Sequence, residues 1–307
     1  MKIGQVIFET KQRVIAVSNG SVWLCRDFGG GTRDIIQGLK PGETLTEAMD
    51  ILLQAAELLG GEQDLLDGNM DAILTKPINP PEAWACGVTY KRQALEHDAD
   101  ALAKLGKTEK LYHFVYAAER AEVFFKGLDR TLCGPNDSLW IRGDSNQTLP
   151  ESELVAVLGQ DGLPIAYTLG NDMTAWDIEL NCPLYLNQAK IWKHSGSIGP
   201  FIQPIESFGS PYECQMNCKV LRDGEVVVDS DGGTSDIKRS IEELCYYMNF
   251  NSPVEAGSVL FTGTACVVPH DFCLAAGDIA IVSMRGFGEL RNPISMQSIP
   301  VKDFLPR

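Results

Sequence analysis

The sequence has little that would suit a membrane or a nucleic acid. It contains no run of about eighteen or more consecutive apolar residues, the length that a membrane-spanning helix requires. Its first segment, MKIGQVIFETKQRVIAV, mixes charged with apolar residues and lacks the apolar centre of a signal peptide. Lysine and arginine number 26 against 41 acidic residues, and the formal net charge of −15 repels phosphate backbones. We expect a cytoplasmic protein that enters no membrane and binds no nucleic acid.

The sequence also lacks the signature of a zinc site or of a disulfide framework. Its four histidines show no ligand spacing, and its nine cysteines are an odd number scattered along the chain, which is typical of reduced thiols. Cys214 and Cys218 form a CxxxC, but no second cysteine pair or nearby histidine completes a tetrahedral site. We therefore expect free and mostly buried thiols.

The chain is long enough for two domains. At ~100–200 residues per domain, 307 residues allow one large domain and a smaller one. The first part shows short strand patterns and then helical periodicity from Thr46 to Leu59, which predicts a small α+β unit. Prolines at 77, 80 and 81 then interrupt regular structure. We predict a small N-terminal domain at residues 1–76 and a catalytic domain at residues 77–307.

The second domain is predicted to be mainly β with some helix. Two stretches favour helices, Lys91–Lys104 and Ser235–Met248, the latter with an N-cap at Thr234 or Ser235. Seven segments bounded by Gly, Pro, Asn or Asp are typical of strands. They are AWACGVTY, SLWIRG, ELVAVLG, PIAYTLGND, CQMNCKVLRDGEVVVDS, GSVLFTGTACVV and DIAIVSMRGFGELRNP. The predicted fold class is α+β.

Two glutamates beside an apolar run are candidate metal ligands. Because side chains alternate faces in a strand, Glu151 and Glu153 should project from one face with Cα atoms roughly 6–7 Å apart. Carboxylates that close repel unless a cation or a proton lies between them. A polar edge strand with both acids in water would give the same pattern. Asp172, which ends the segment PIAYTLGND, could add a third carboxylate and complete a site suited to Mg²⁺ or Mn²⁺ rather than zinc.

Motifs between Trp84 and Pro293 together resemble the fumarylacetoacetate hydrolase family. They are GVTY at Tyr90, FFKG at Lys126, PESEL at Glu151, GNDMTAWDIE at Asp172, QAK at Lys190, IGP at Gly199 and LFTGT at Thr264. Several motifs in one order and at compatible spacings make the match specific. The chain is most similar to the branch that handles 2-keto-3-deoxy sugar acids. The resemblance implies a rolled mixed β-sheet domain with a small N-terminal domain, assembled as a homodimer.

The resemblance also implies the metal site. Glu151, Glu153 and Asp172 match carboxylates that bind Mg²⁺, with Mn²⁺ or Ca²⁺ as alternatives. Lys190 matches a lysine beside the metal, where burial next to a cation would lower its pKa and let it act as a base, or where it would hold charge as an ammonium. Taken alone, Lys190 could also be a surface lysine between two strands.

The expected substrate is a small 2-oxo acid, and several side chains are candidates to contact it. The Thr262-Gly263-Thr264 turn matches a substrate-binding segment of the family. Lys126 could pair with an anionic substrate, or could extend its charged end from the core. The full set of expected substrate contacts is Tyr90, Lys126, Glu179, Gly263 and Thr264.

Two positions depart from the family pattern. The hydrolases carry a water-activating histidine and, three residues later, a glutamate, whereas this chain has Gln93 and then Glu96. A neutral amide cannot act as a general base. His97 lies about 100° round a helix from Glu96 and is expected to face elsewhere. Trp176 stands where the family usually has arginine, so an anion-holding guanidinium is replaced by an apolar ring.

The sequence therefore favours a hydro-lyase acting on a 2-keto-3-deoxy aldonate. The C3 proton would pass to Lys190 or to water on the metal, and the C4 hydroxyl would leave with help from an acid such as Glu96. Hydrolysis of a C–C bond in a 2,4-dioxo acid is the first alternative. An inactive binding or scaffold homologue is the second, which Gln93 and Trp176 favour and which the retained, mutually repelling carboxylates disfavour.

Overall fold

The structure, a computed structural model, describes residues 1–269 and 271–296. Residues 297–307 of the predicted second domain lie outside the described residues. The strands are β1 Lys2–Phe8, β2 Lys11–Ser18, β3 Ser21–Leu24, β4 Glu57–Gly61, β5 Ala72–Leu74, β6 Ala83–Gly87, β7 Glu122–Gly127, β8 Leu132–Cys133, β9 Leu139–Ile141, β10 Thr148–Leu149, β11 Ser152–Leu158, β12 Pro164–Asp172, β13 Thr174–Ala175, β14 Gly196–Pro204, β15 Gln215–Arg222, β16 Glu225–Gly233, β17 Val259–Thr264, β18 Ile279–Met284 and β19 Gly288–Met296. The helices are α1 Thr32–Gln37, α2 Leu45–Leu53, α3 Glu62–Leu66, α4 Lys91–Leu105, α5 Leu111–Ala117, α6 Trp176–Asn181, α7 Leu186–Lys190, α8 Ile205–Phe208 and α9 Ile241–Asn249.

A mixed twelve-stranded sheet runs through the described part of the chain in the order β4-β3-β2-β1-β14-β12-β11-β17-β6-β7, with β5 beside β1 and β8 beside β14. The pairs β17–β6 and β14–β8 are parallel. A second sheet has the order β16-β15-β18-β19-β9, and β10 pairs with β13. Strands with accompanying helices confirm the predicted mainly β, α+β fold class.

The strands of residues 1–76 continue the large sheet. Ile3 of β1 pairs with Ile202 of β14, and one apolar cluster includes Ile3 together with Val155 and Ile198 of the central strands. Burying these side chains together stabilises the two parts of the chain against each other. The boundary proposed near Pro77 stays a prediction.

Strand β11 is buried on both faces, which explains its continuous apolar run. Leu154 and Ala156 belong to the core shared with the second sheet, whereas Val155 and Val157 belong to the core shared with the N-terminal strands. A strand covered on both faces needs no polar alternation. The face that carries Val155 and Val157 is therefore also the face of residues 151 and 153.

Of three helix predictions, one is confirmed and two have a wrong boundary. The predicted helix Lys91–Lys104 is confirmed as α4, which ends at Gly106 with φ of 63°. The prediction that the helix after Thr46 reaches Leu59 is wrong, because residues 57–61 pair with β3 instead. The predicted start of the later helix at Ser235 is also wrong. A 3₁₀ turn occupies residues 234–236, and Ser240 caps α9 by accepting a hydrogen bond from the Glu243 N–H.

Two expectations from composition can be compared directly with the structure. Within the described residues, no helix combines the length and the apolar character that crossing a membrane would require. All nine cysteines are free thiols, and six of them are buried. The prediction of free, mostly buried thiols is confirmed.

We predict that Gly170→Ala destabilises the central sheet. A Cβ at Gly170 would lie 2.5 Å from Phe261 Cε1 and 2.5 Å from Val155 Cγ2, so the core would have to shift, at a cost of about 1–3 kcal/mol in the free energy of unfolding. Urea denaturation measures the loss. Gly29→Ala is the control, because its Cβ would have nothing within 4 Å. Equal stability of the two variants would contradict the close packing of β12 against β11 and β17.

Candidate active site

Three buried carboxylates meet where β11 begins and β12 ends. The strands are antiparallel, with Ser152 opposite Asn171, and the Asp172 N–H donates to the Glu151 carbonyl over 2.9 Å. This register places one oxygen from each of Glu151, Glu153 and Asp172 within 4.8 Å of the others. Glu153 and Asp172 are each 1% exposed. The predicted proximity of the three acids is confirmed, and an edge strand with its acids in water does not describe them.

Two lysines hold the oxygens of this acid triad, the name used below for Glu151, Glu153 and Asp172. Lys190, the last residue of α7, donates from Nζ to Glu151 Oε2 over 3.0 Å and to Asp172 Oδ2 over 3.2 Å. Its third donor reaches Thr174 Oγ1 over 2.6 Å. Lys126 Nζ lies 2.6 Å from Asp172 Oδ1. Both oxygens of Asp172 therefore face an ammonium group.

Lys126 is enclosed by the protein. It is 0% exposed, and besides Asp172 it donates to the main-chain carbonyls of Lys190 and Ser195. A buried ammonium needs such acceptors because burial favours its neutral form. Lys126 thus orients a member of the triad, and the substrate contact predicted for it does not fit this position.

Glu153 is held by the turn that the sequence marked as a substrate site. The Gly263 N–H donates to Glu153 Oε2 over 2.6 Å, so this donor is already used by a triad member. Gly263 has φ of 94°, and a Cβ there would lie 2.0 Å from Thr89 Oγ1. Only glycine fits this approach. The Thr264 hydroxyl accepts from the Cys266 N–H over 3.1 Å.

A cavity of about 100 Å³ opens beside the triad and is called the acid cavity below. Its charged lining residues are Glu122, Glu151, Glu179 and Lys190, and apolar side chains such as Phe124 complete the wall. Together with Glu153, Asp172 and Lys126, the region holds five carboxyl groups and two ammonium groups. Full ionisation would leave an excess of three negative charges, an arrangement that suits a divalent cation with oxygen ligands.

The pKa values of the acids reflect this crowding. Burial, followed by the charges of Asp172 and Glu151, raises the pKa of Glu153 well above its ordinary value. Burial also raises the pKa of Glu179 to about 7. The pKa of Glu122 is raised by burial too, although Lys190 opposes the shift. These carboxyl groups hold protons at higher pH than exposed glutamates do unless a cation offsets their charge.

The pKa of Lys190 is shifted in the opposite direction to the one expected from burial. Burial alone would lower it, but the carboxylates of Asp172, Glu151 and Glu179 outweigh burial and raise it well above the ordinary value. Lys190 is therefore an ammonium group when it faces the acids alone. The lowered pKa that a base requires depends on a cation that neutralises those acids.

Two residues predicted to act at the site, Tyr90 and Glu96, line a separate cavity together with Arg92 and Tyr116. His97, expected to face elsewhere, lines the acid cavity. Neighbouring helical residues point about 100° apart, and α4 presents His97 rather than Glu96 to the acid cavity.

Glu122 and Tyr112 also line the acid cavity, although neither is predicted from the sequence. Glu122 begins β7, and side-chain alternation places it on the same face as Phe124 and Lys126. Counting alternate residues back from Lys126 in the sequence would therefore have predicted that Glu122 shares its face of the strand. Tyr112 had none, because only the packing of α5 on α4 brings it to the cavity.

The fold is a mixed sheet that buries a carboxylate triad and a lysine beside a small cavity. This combination defines a class of enzymes that bind a divalent metal. Residues 99–295 match the family model for the fumarylacetoacetate (FAA) hydrolase C-terminal domain. The chain belongs to the fumarylacetoacetate hydrolase family.

Three related proteins are informative. The chain is 36% identical to the 2-dehydro-3-deoxy-D-arabinonate dehydratase of Saccharolobus solfataricus, over 73% of this chain and 75% of that protein. It is 37% identical to a probable 2-keto-3-deoxyxylonate dehydratase of Haloferax volcanii, over 78% and 81%. A solved structure of 2-keto-3-deoxy-D-arabinonate dehydratase complexed with magnesium and 2,5-dioxopentanoate shares a TM-score of 0.79 and 30% identity, covering 97% of this chain and 99% of that one.

We predict that Glu153→Gln abolishes stabilisation by Mg²⁺. An ion that binds only the folded protein raises the melting temperature, and loss of one ligand should remove most of that rise. Without Mg²⁺ the variant should be more stable than the wild type at neutral pH. The folded-state pKa of Glu153 is raised above 4.5, so its ionisation destabilises the fold as pH rises above that value.

Thermal melts at several Mg²⁺ concentrations, with and without chelator, measure both effects. Glu225→Gln is the matched control, since Glu225 is an exposed glutamate at the start of β16. It should keep the wild-type response to Mg²⁺. The triad would not be the metal site if Glu153→Gln also responded like the wild type.

Proposed function

We propose that this protein is a Mg²⁺-dependent hydro-lyase that removes water from a 2-keto-3-deoxy aldonate. The observation that carries the proposal is the acid triad with Lys190 at the wall of a small cavity. The two dehydratases that share 36% and 37% identity with the chain support the reaction type. The bound 2,5-dioxopentanoate of the structural relative supports a small 2-oxo acid as ligand.

Glu151, Glu153 and Asp172 would hold the metal. Their oxygen-only donor set favours Mg²⁺, Mn²⁺ or Ca²⁺ over zinc, and the raised pKa of Glu153 reflects acids whose negative charge a cation would offset. When bound, the ion would draw electron density from the 2-oxo acid and make its C3 proton more acidic. Lys126 keeps Asp172 in place by ion pairing.

Lys190 and Glu179 would move the protons. Lys190 would take the C3 proton, and the electrons of that C–H bond would form the C3=C4 double bond while the C4–O bond breaks. Glu179, which also lines the acid cavity and has a pKa of about 7, would donate the proton that lets the hydroxyl leave as water. The unsaturated product would then tautomerise to a 2-oxo acid semialdehyde. The acid role expected for Glu96 passes to Glu179 because Glu96 lines another cavity.

Hydrolysis of a C–C bond in a 2,4-dioxo acid remains the alternative, and one observation favours it. His97 lines the acid cavity, and an imidazole can act as the base that activates water. Gln93, which occupies the position of the hydrolase histidine, cannot do so. The proposal of a hydro-lyase ranks higher because both of the dehydratases exceed 35% identity to this chain.

We also propose what kind of partner the protein binds, where it is located and how it assembles. A small-molecule substrate suits a cavity of about 100 Å³, and the net charge of −15 disfavours nucleic acid. Nine free thiols suit the reducing cytoplasm. Cytoplasmic location and homodimeric assembly stay predictions, which fractionation and light scattering would test.

We predict that the purified protein with Mg²⁺ dehydrates at least one member of a panel of 2-keto-3-deoxy aldonates. Mass spectrometry of the products should show a loss of one water without C–C cleavage. The same incubation with 2,4-dioxo acids should leave them intact, and chelator should stop the reaction. Cleaved products from the dioxo acids alone would replace the dehydratase proposal with the hydrolase alternative.

We predict that Lys190→Met lowers kcat by ~10²–10⁴, the usual contribution of a general base, with a smaller change in KM. The variant should still show a melting-temperature rise with Mg²⁺. Lys193→Met is the control, since Lys193 is exposed and contacts the Trp140 ring rather than the triad. Near-normal kcat in Lys190→Met would transfer the base role elsewhere. Loss of the Mg²⁺ response would make Lys190 a structural part of the metal site.

A further inference from the structure

Two residues on α4 face the triad across the acid cavity. Gln93 and His97 stand one helical turn apart, so they share a face of the helix. Both line the acid cavity, and both line a smaller adjoining cavity that contains Thr264. Glu151 is the third residue common to both cavities. A ligand held at Glu151 would therefore extend along Gln93 and His97.

Gln93 presents a hydrogen-bond acceptor that the protein does not use. The side chain is only 6% exposed, and within the described residues Gln93 Oε1 has no hydrogen-bond partner. Buried polar atoms are nearly always paired, so an unpaired one beside a cavity points to a ligand. A carbonyl oxygen accepts a hydrogen bond from a hydroxyl group, whereas a carboxylate has no hydrogen to offer it.

His97 is held in place by an aromatic cluster. Its ring centroid lies 4.4 Å from that of Trp176 at an interplanar angle of 32°, and 5.0 Å from that of Tyr112. The Trp176 Nε1–H donates to the buried carboxylate of Asp100, which fixes the indole plane. Trp176, which replaces the arginine of the family pattern, thus serves as the platform for His97. The departures at 93 and 176 belong to one structural unit.

The charges around the cavities exclude a second carboxylate as the group bound there. Among the described lining residues of both cavities, Lys190 is the one lysine or arginine, and its donors already engage Glu151, Asp172 and Thr174. Glu122 and Glu179, whether ionised or protonated, give a second carboxylate no positive charge to pair with. A hydroxyl group can donate to these oxygens and to Gln93.

We propose that Gln93 and His97 form a subsite for the hydroxyl groups of the substrate chain beyond C3, with Trp176 as a positioning residue for His97. The proposal rests on the proposed function, because it assumes a 2-oxo acid anchored at the triad. The unpaired Gln93 carbonyl accepts the hydrogen of such a hydroxyl, and the polar edge of the His97 ring, which lines both cavities, would supply a second hydrogen-bonding group.

A matched pair of ligands tests the subsite without turnover. The probes are 3,3-difluoro-2-oxopentanoate and 3,3-difluoro-4-hydroxy-2-oxopentanoate, which differ by one hydroxyl and have no C3 hydrogen to lose. Titration calorimetry of the whole protein with Mg²⁺ gives a dissociation constant for each. The wild type should bind the hydroxylated probe about tenfold more tightly, the effect of one or two net hydrogen bonds.

Variants assign the preference to its residues. Gln93→Met and His97→Phe should each reduce the ratio of the two dissociation constants by about threefold or more, while the affinity for the probe without a hydroxyl stays the same. Trp176→Ala should reduce the ratio in the same way through His97. The control, His113→Phe, changes an exposed histidine on α5 that lines a different cavity, and it should keep the wild-type ratio.

The outcomes separate this proposal from the proposed function. A wild-type ratio near one, or a ratio unchanged in Gln93→Met and His97→Phe, would overturn the subsite even if sugar acids are dehydrated. A ratio that falls in those variants, with no dehydration product from the aldonate panel, would support the subsite and reject the hydro-lyase. Variants that fail to fold are recognised by their melting curves, and His97→Leu then replaces His97→Phe because it also removes the hydrogen-bonding groups of the ring.

Discussion

The repulsion among three buried carboxylates is the constraint on which the site depends. Glu151, Glu153 and Asp172 approach within 4.8 Å because antiparallel pairing puts the start of β11 beside the end of β12. Such a cluster is stable only when cations or protons offset its charge. Lys126 and Lys190 supply part of the compensation, and the remaining negative charge makes the region a place for a divalent ion.

The rest of the fold holds this cluster in place. Strand β11 is packed on both faces by separate apolar cores, so its register cannot slip without exposing one of them. The Gly263 turn approaches Glu153 closely enough to donate a main-chain hydrogen bond, which a side chain at 263 would prevent. Glu151 is the triad member that lines the acid cavity, and Lys190 and Glu179 line the same cavity.

The orientation of helix α4 decides which of its side chains face the acids. Gln93 and His97, one turn apart on α4, both line the acid cavity. Because of the same orientation of α4, Glu96 lines another cavity. The Trp176 ring packs against the His97 ring. Gln93, His97 and Trp176 are thus adjacent parts of one cavity wall.

The sequence by itself determined the strand-rich class, the proximity of Glu151 and Glu153, and the family, because side-chain alternation and ordered motifs are local properties that survive in one dimension. Only the tertiary structure decided which way α4 faces. It therefore decided that His97 lines the acid cavity and that Glu96 lines another cavity. It also turned Lys126 from a candidate for substrate binding into the buried partner of Asp172, and it brought Glu122 and Tyr112 to the cavity. These facts depend on contacts between segments far apart in the chain, and helical or strand periodicity specifies relative directions within one element but not what that element packs against.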